Sequence, residues 1–124
     1  MNDAITGIDA VSLAMKLEEA RARVAARNIA LASVPGSTAL RFDSLGAQKI
    51  LQAALADPEG FASAVHALAR QDLQGRIRQA PEPSGISLDA EVAEVSAASG
   101  RYQALADVVS RQFAIMQMAI KGAK

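Results

Sequence analysis

Residues 87–124 read SLDAEVAEVSAASGRYQALADVVSRQFAIMQMAIKGAK. Positions 88, 92, 95, 99, 102, 106, 109, 113, 116 and 120 are spaced alternately by four and three. They hold Leu88, Val92, Val95, Ser99, Tyr102, Ala106, Val109, Phe113, Met116 and Ile120. Nine of the ten are apolar over more than four heptads, the pattern of a helix that packs along its whole length as coiled coils do. Leu105, Val108, Ile115 and Met118 widen the stripe beyond a two-stranded seam, so several neighbours are expected. Ser87 is a good N-cap, Asp89, Glu91 and Glu94 lie in the first turns, and Lys121 and Lys124 close the other end, all as the helix dipole favours. A helix over 88–121 is about 50 Å long. A compact globule of this chain length has a diameter of only about 35 Å.

The other end of the chain answers this helix. From Ile8 to about Ser33 there is no Pro or Gly, which predicts a second helix of about 39 Å. Ile8, Met15, Ala22 and Ile29 recur every seven residues, with Val11, Ala25 and Ala32 as companions. Leu17, Val24 and Leu31 make a row on another side, so this helix is expected to be contacted on more than one face. Residues 1–7 are polar, end in Gly7 and are expected to fray. Val34-Pro35-Gly36-Ser37 is turn chemistry and stops the helix.

Between the two lies a less regular stretch. Residues 37–47 show no periodicity. Ile50, Leu51, Ala54 and Leu55 suggest a short helix near 46–56. Asp57-Pro58-Glu59 is a helix start, and Phe61, Val65, Leu68 and Ala69 give that helix an apolar face that fades near Gly75. Residues 80–86 contain two prolines and read as an extended linker. The expected organisation is an N-terminal helix segment over 1–36, a middle region over 37–86 and the heptad helix over 87–124. The fold class is all-α, an elongated hairpin of two long helices with a short helical and irregular middle.

Composition narrows the function. The chain has 124 residues, of which 51% are hydrophobic, and 28 alanines supply nearly half of that share. Aromatic residues are only 3%. Such a chain fits helices packed closely side by side better than a thick core of bulky groups. Zero cysteines exclude disulfides, thiolate metal sites and cysteine nucleophiles. One histidine supplies no multi-histidine site. Acidic and basic groups balance at thirteen each, so no phosphate-neutralising surplus points to nucleic acid. Arg70, Arg76 and Arg78 cluster, but Asp72 offsets them. No apolar run is long enough to span a bilayer, and no secretory signal is visible at the start of the sequence given. By those signals alone a cytosolic protein is expected.

No chemistry is legible. His66 has no nucleophile or acid at a motif spacing around it and reads as a helical surface or partly buried histidine. Tyr102 lies on the heptad stripe and reads as an interface aromatic. Gly100, next to Ser99, costs about 1 kcal/mol in a helix and allows a bend or a close neighbour. No catalytic, cofactor-binding or metal-binding residue and no cofactor are expected, and an enzyme is the least supported class.

Two segments together carry a resemblance. Ala26-Arg27-Asn28-Ile29-Ala30-Leu31-Ala32-Ser33-Val34-Pro35-Gly36 is similar to the signature of the bacterial flagellar axial proteins. There an Ala-x-Asn-Ile-Ala-Asn stretch runs into Thr-Pro-Gly-Tyr. Asn28, Ile29, Ala30, Pro35 and Gly36 match, while Leu31, Val34 and Ser37 depart. Ala39 and Phe42-Asp43 weakly echo the residues just after the signature in the FlgB type of proximal rod protein. Ile86-Ser87-Leu88-Asp89-Ala90-Glu91, Arg101-Tyr102-Gln103-Ala104-Leu105 and Ile120-Lys121-Gly122 resemble that type's C-terminal half. The likeness covers about 8–43 and 84–122. Residues 44–83 lack the histidine-rich centre usual in that type.

The resemblance implies a structural subunit of the flagellar basal-body rod. Such subunits leave the cell through the flagellar type III export apparatus without a cleaved signal. They polymerise helically with their own copies and with FlgC-, FlgF- and FliE-like partners, and their terminal helices form the inner layer. It implies no nucleic acid and no membrane span. On this reading Asn28, Pro35 and Gly36 shape the helix-ending turn, with Asn28 hydrogen-bonding backbone near it. Leu88, Val92, Val95, Tyr102, Leu105, Ala106, Val109, Phe113, Met116 and Ile120 carry packing within and between subunits. A FlgC-like rod protein or the inner rod of a virulence type III system is a close alternative. A cytosolic helical adaptor or coiled-coil regulator is an alternative of a different class.

Overall fold

The computed structural model describes residues 2–54, 57–80 and 85–122, without the side chains of 2–6, 50–54 and 58. In chain order it has α1 (Asn2–Leu31), β1 (Leu40–Phe42), α2 (Leu45–Ala54), α3 (Pro58–Arg70), a 3-10 turn (Leu73–Arg76), β2 (Ile77–Gln79) and α4 (Leu88–Gly122). It is a mostly helical molecule in which the two long terminal helices pack against each other, with a short middle region between them. That is the hairpin expected from the heptads.

α1 and α4 run antiparallel. Arg101 Nε donates to Glu18 Oε2 at 2.9 Å, and Gly7 lies against the Gln112 side chain. Eleven residues along one helix therefore match eleven back along the other. Ala25 and Ala98 are buried in this pair, where their small side chains let the axes come close. α1 is also covered elsewhere. Leu13 and Leu17 pack on Val65 and Leu68 of α3 and on Ala47 of α2, and Ala10, Phe42, Phe61 and Leu73 close that core. α1 thus serves both the hairpin and the middle region, as its two apolar rows require.

Several expected boundaries move. α1 begins at Asn2, not near Ile8, so the helix passes through Gly7. It ends at Leu31 instead of Ser33, where Val34 N–H turns back to Leu31 C=O at 3.0 Å. Gly36 then takes a positive φ of 79°, and Ser37 N–H reaches Val34 C=O at 3.3 Å. With Pro35 before Gly36 this is a type II turn, which needs glycine at its third position. α3 starts as expected: Asp57 accepts from Glu59 N–H at 3.2 Å and Pro58 stands at N1. It ends at Arg70, short of Gly75, because Asp72 caps a separate 3-10 turn by accepting from Gln74 N–H at 3.0 Å.

The stretch expected to be irregular holds a strand. β1 pairs antiparallel with β2, with Leu40 opposite Gln79, Arg41 opposite Arg78 and Phe42 opposite Ile77. Asp43 N–H to Arg76 C=O and Ala80 N–H to Ala39 C=O, both 2.8 Å, extend the ribbon at either end. The linker prolines Pro81 and Pro83, Leu55 and Lys124 lie outside the described residues. So do the side chains of Ile50, Leu51 and Ala54. α4 opens at Ser87, whose hydroxyl accepts from Ala90 N–H at 3.4 Å and whose carbonyl accepts from Glu91 N–H at 3.1 Å. Its 35 residues span about 52 Å.

Candidate functional site

Two regions stand out: a polar junction at one end of the hairpin and an open apolar surface along α4. The junction centres on Asn28, which is fully buried. Its Nδ2 donates to Leu40 C=O at 2.9 Å and its Oδ1 accepts from Leu40 N–H at 2.7 Å. The carboxamide stands where a third strand would, beside the free edge of β1. Its partner is therefore strand backbone twelve residues on, not backbone of the turn at Pro35 and Gly36. Those two residues are exposed, Ile29 is half-buried and Ala30 is exposed.

Around Asn28 the charges are matched. Arg41 Nη1 donates to Glu91 Oε1 at 2.8 Å and to Leu40 C=O at 3.1 Å. Glu91 is buried although it lies on α4, so this pair ties α4 to β1. Arg21 donates to the buried Ser44 hydroxyl and pairs with Glu18 at 3.6 Å. These groups border an open cleft of about 360 Å³. Its arginines, Arg21 and Arg41, face its carboxylates, Glu91 and Glu94, so the cleft has no excess charge to attract an ion. Glu91, Arg41 and Ser44 were not legible as a cluster. Glu91 reads locally as an ordinary helix-dipole acid, and its partner lies fifty positions away.

No nucleophile is paired with a base in this cleft. His66 is exposed, with Nε2 3.9 Å from Asp9 Oδ2. Among the described residues no three His, Cys, Asp or Glu side chains are grouped to hold a metal ion. None of the helices there is long and apolar enough to cross a membrane.

The apolar surface is α4 itself. The expected stripe is split lengthwise. Val95, Leu105, Ala106, Val109 and Met116 are half-buried. Leu88, Val92, Tyr102, Phe113 and Ile120 are exposed, Ile120 by 61%. The seam with α1 is instead centred on Glu91, Ala98, Leu105 and Gln112, about one position round the helix from the heptad row. The reason is width: the apolar sector is broader than one neighbour can cover, and α1 takes one edge of it. Val108, Ile115 and Met118 are exposed on further sides. Ala22 of α1 joins Ala98, Ser99, Tyr102 and Gln103 in a shallow groove. The junction cleft, with Ala90, Glu91 and β1, opens on the other side of the hairpin.

At the groove, Arg101 is held by Glu18 and, at 3.5 Å, by Glu94. The hydrogen bond to Glu18 raises the guanidinium's pKa above its ordinary value against the opposing effect of burial, and the charges of Glu18 and Glu94 add to the rise. The arginine is therefore charged at every physiological pH. Comparison with known proteins gives no match, whether to family models, to curated proteins or to solved structures.

Proposed function

We propose that this chain is a structural subunit of the bacterial flagellar basal-body rod, of the FlgB-like proximal type, which assembles with its own kind and with related rod proteins. Its action is mechanical: it transmits torque through packed helices and carries no catalytic step. The observation that supports this reading best is the uncovered part of α4. Leu88, Val92, Tyr102, Phe113 and Ile120 lie open along one face, and Val108, Ile115 and Met118 lie open on others. Contiguous apolar surface of this extent marks an interaction surface. A helix bared on several sides suits a lattice in which each subunit has several neighbours. The signature residues around Asn28 and the Tyr-Gln-x-Leu stretch at Tyr102 add the family resemblance.

The test uses Phe113→Asp. Phe113 is 51% exposed, so the change leaves the hairpin intact and puts a charge where a neighbour would bury it. In the parent bacterium the wild-type chain is expected to co-purify with hook–basal bodies, and the variant is expected to abolish rod assembly and swimming. A wild-type chain that stays in the soluble fraction, or normal swimming by the variant, would sink the reading.

A further inference from the structure

The open face of α4 has an internal order that its contacts within the chain leave unused. We propose that it pairs with the same face of a second copy, α4 against α4, antiparallel, about a two-fold axis at Ala106. The face includes exposed Val92, Ser99, Tyr102, Ser110, Phe113 and Ile120 and half-buried Ala106 at its middle, with exposed Ser96, Gln103 and Gln117 along its edge. An antiparallel copy centred on Ala106 sets Val92 opposite Ile120, Ser99 opposite Phe113 and Tyr102 opposite Ser110. Ala106 meets itself at the axis. Both exposed aromatics thus meet a serine, and the smallest apolar side chain sits where the helices are nearest. Well-packed interfaces alternate large and small groups in this way. A parallel pair in register would stack Phe113 on Phe113 and Tyr102 on Tyr102, and leave Ser99 and Ser110 facing their equals across gaps.

Charge selects the same direction. α4 has Asp89 in its first turn and Lys121 in its last. The antiparallel pair brings Asp89 of each copy within one helical turn of Lys121 of the other, twice by symmetry. A parallel pair would set Asp89 beside Asp89 and Lys121 beside Lys121. The remaining cations are out of the way. Arg101 is turned to Glu18 of α1, and Arg111 lies two residues from Phe113, on the far side of the helix. From Val92 to Ile120 the face is about 42 Å long, and at about 10 Å wide it gives about 840 Å² for the two copies together, just under the roughly 1,000 Å² of a stable specific interface, so the pair is weak and concentration-dependent. Half-buried Ala22 of α1 borders it beside Ser99 and Tyr102 and adds to that area. The inference does not rest on the rod reading. A dimer of this kind covers the surface that assembly into a rod would use, so the two associations exclude each other.

The absence of cysteine gives a clean background for cross-linking the full chain. The purified protein at tens of micromolar is expected to show about twice its 12.9 kDa mass by light scattering. Ala106→Cys should cross-link to itself with a short bis-maleimide or on mild oxidation. Val92→Cys and Ile120→Cys should each fail alone and cross-link when mixed, because like positions stand about 42 Å apart in the antiparallel pair. Phe113→Asp should run as a monomer with an unchanged helical circular dichroism spectrum. A wild-type mass of one chain overturns the proposal, and so does self-cross-linking of Val92→Cys, which would mean a parallel pair or a larger array.

Discussion

Asn28 satisfies both backbone groups of Leu40 from inside a helix, and its amide has the one side-chain shape that copies a peptide unit. Asn28→Ala is expected to cost about 2–3 kcal/mol, read from urea unfolding, since a buried N–H and a buried C=O both lose a partner. Leu40 C=O retains Arg41, so most of the loss falls on the N–H. Asn28→Asp keeps that acceptor but sets a buried carboxylate oxygen against the Leu40 carbonyl, so at neutral pH it should cost more than Asn28→Ala. Equal losses for the two variants would contradict this account. The residue stands out in the sequence only through its resemblance to a signature. Its real partner, a three-residue strand, has no pattern of its own. Leu40-Arg41-Phe42 and Ile77-Arg78-Gln79 are too short to show alternation, and they are joined across more than thirty residues.

At the level of elements, what was legible was what is local. Asp57-Pro58 starts α3, Ser87 starts α4, and Val34-Pro35-Gly36-Ser37 turns the chain, because each signal acts within four residues. The position of the α1 seam on α4 was not local. The heptad row marks the correct helix with a frame one position off, since Leu105 and Val108 make the apolar sector wider than a single seam. Burial of Glu91 depended on Arg41 and was equally out of reach. The middle region is held chiefly through Leu13, Leu17, Val65 and Leu68. Leu68→Ala should therefore cost about 2–4 kcal/mol. Native-state hydrogen exchange should quicken in α3 before it does in α4. Uniform quickening along the chain would show instead that the middle region and the hairpin open as one unit.

At the scale of the whole molecule, stability and association are carried by different sides of α4. Leu105, Val109 and Met116 support the fold through α1, whereas Phe113 and Ile120 contribute little to it. Phe113→Asp is expected to shift the unfolding free energy of the monomer by less than about 0.5 kcal/mol. A larger loss, measured at concentrations below association, would mean that Phe113 belongs to the fold. Zero net charge, kept in each of the segments 1–36, 37–86 and 87–124, lets copies approach without long-range repulsion. The β1–β2 ribbon has a further consequence. The chain leaves the hairpin at Ala39 and returns to it at Ala80, which are bonded to each other. Everything between is a cassette whose two ends are already clipped together. A foreign hairpin or a small reporter domain could be exchanged between the two strands without altering the register of α1 on α4, provided that β1 and β2 stay, so that Leu40 and Arg41 still hold the buried Asn28 and Glu91, and that the replacement shields Leu13 and Leu17 or those two leucines are made polar.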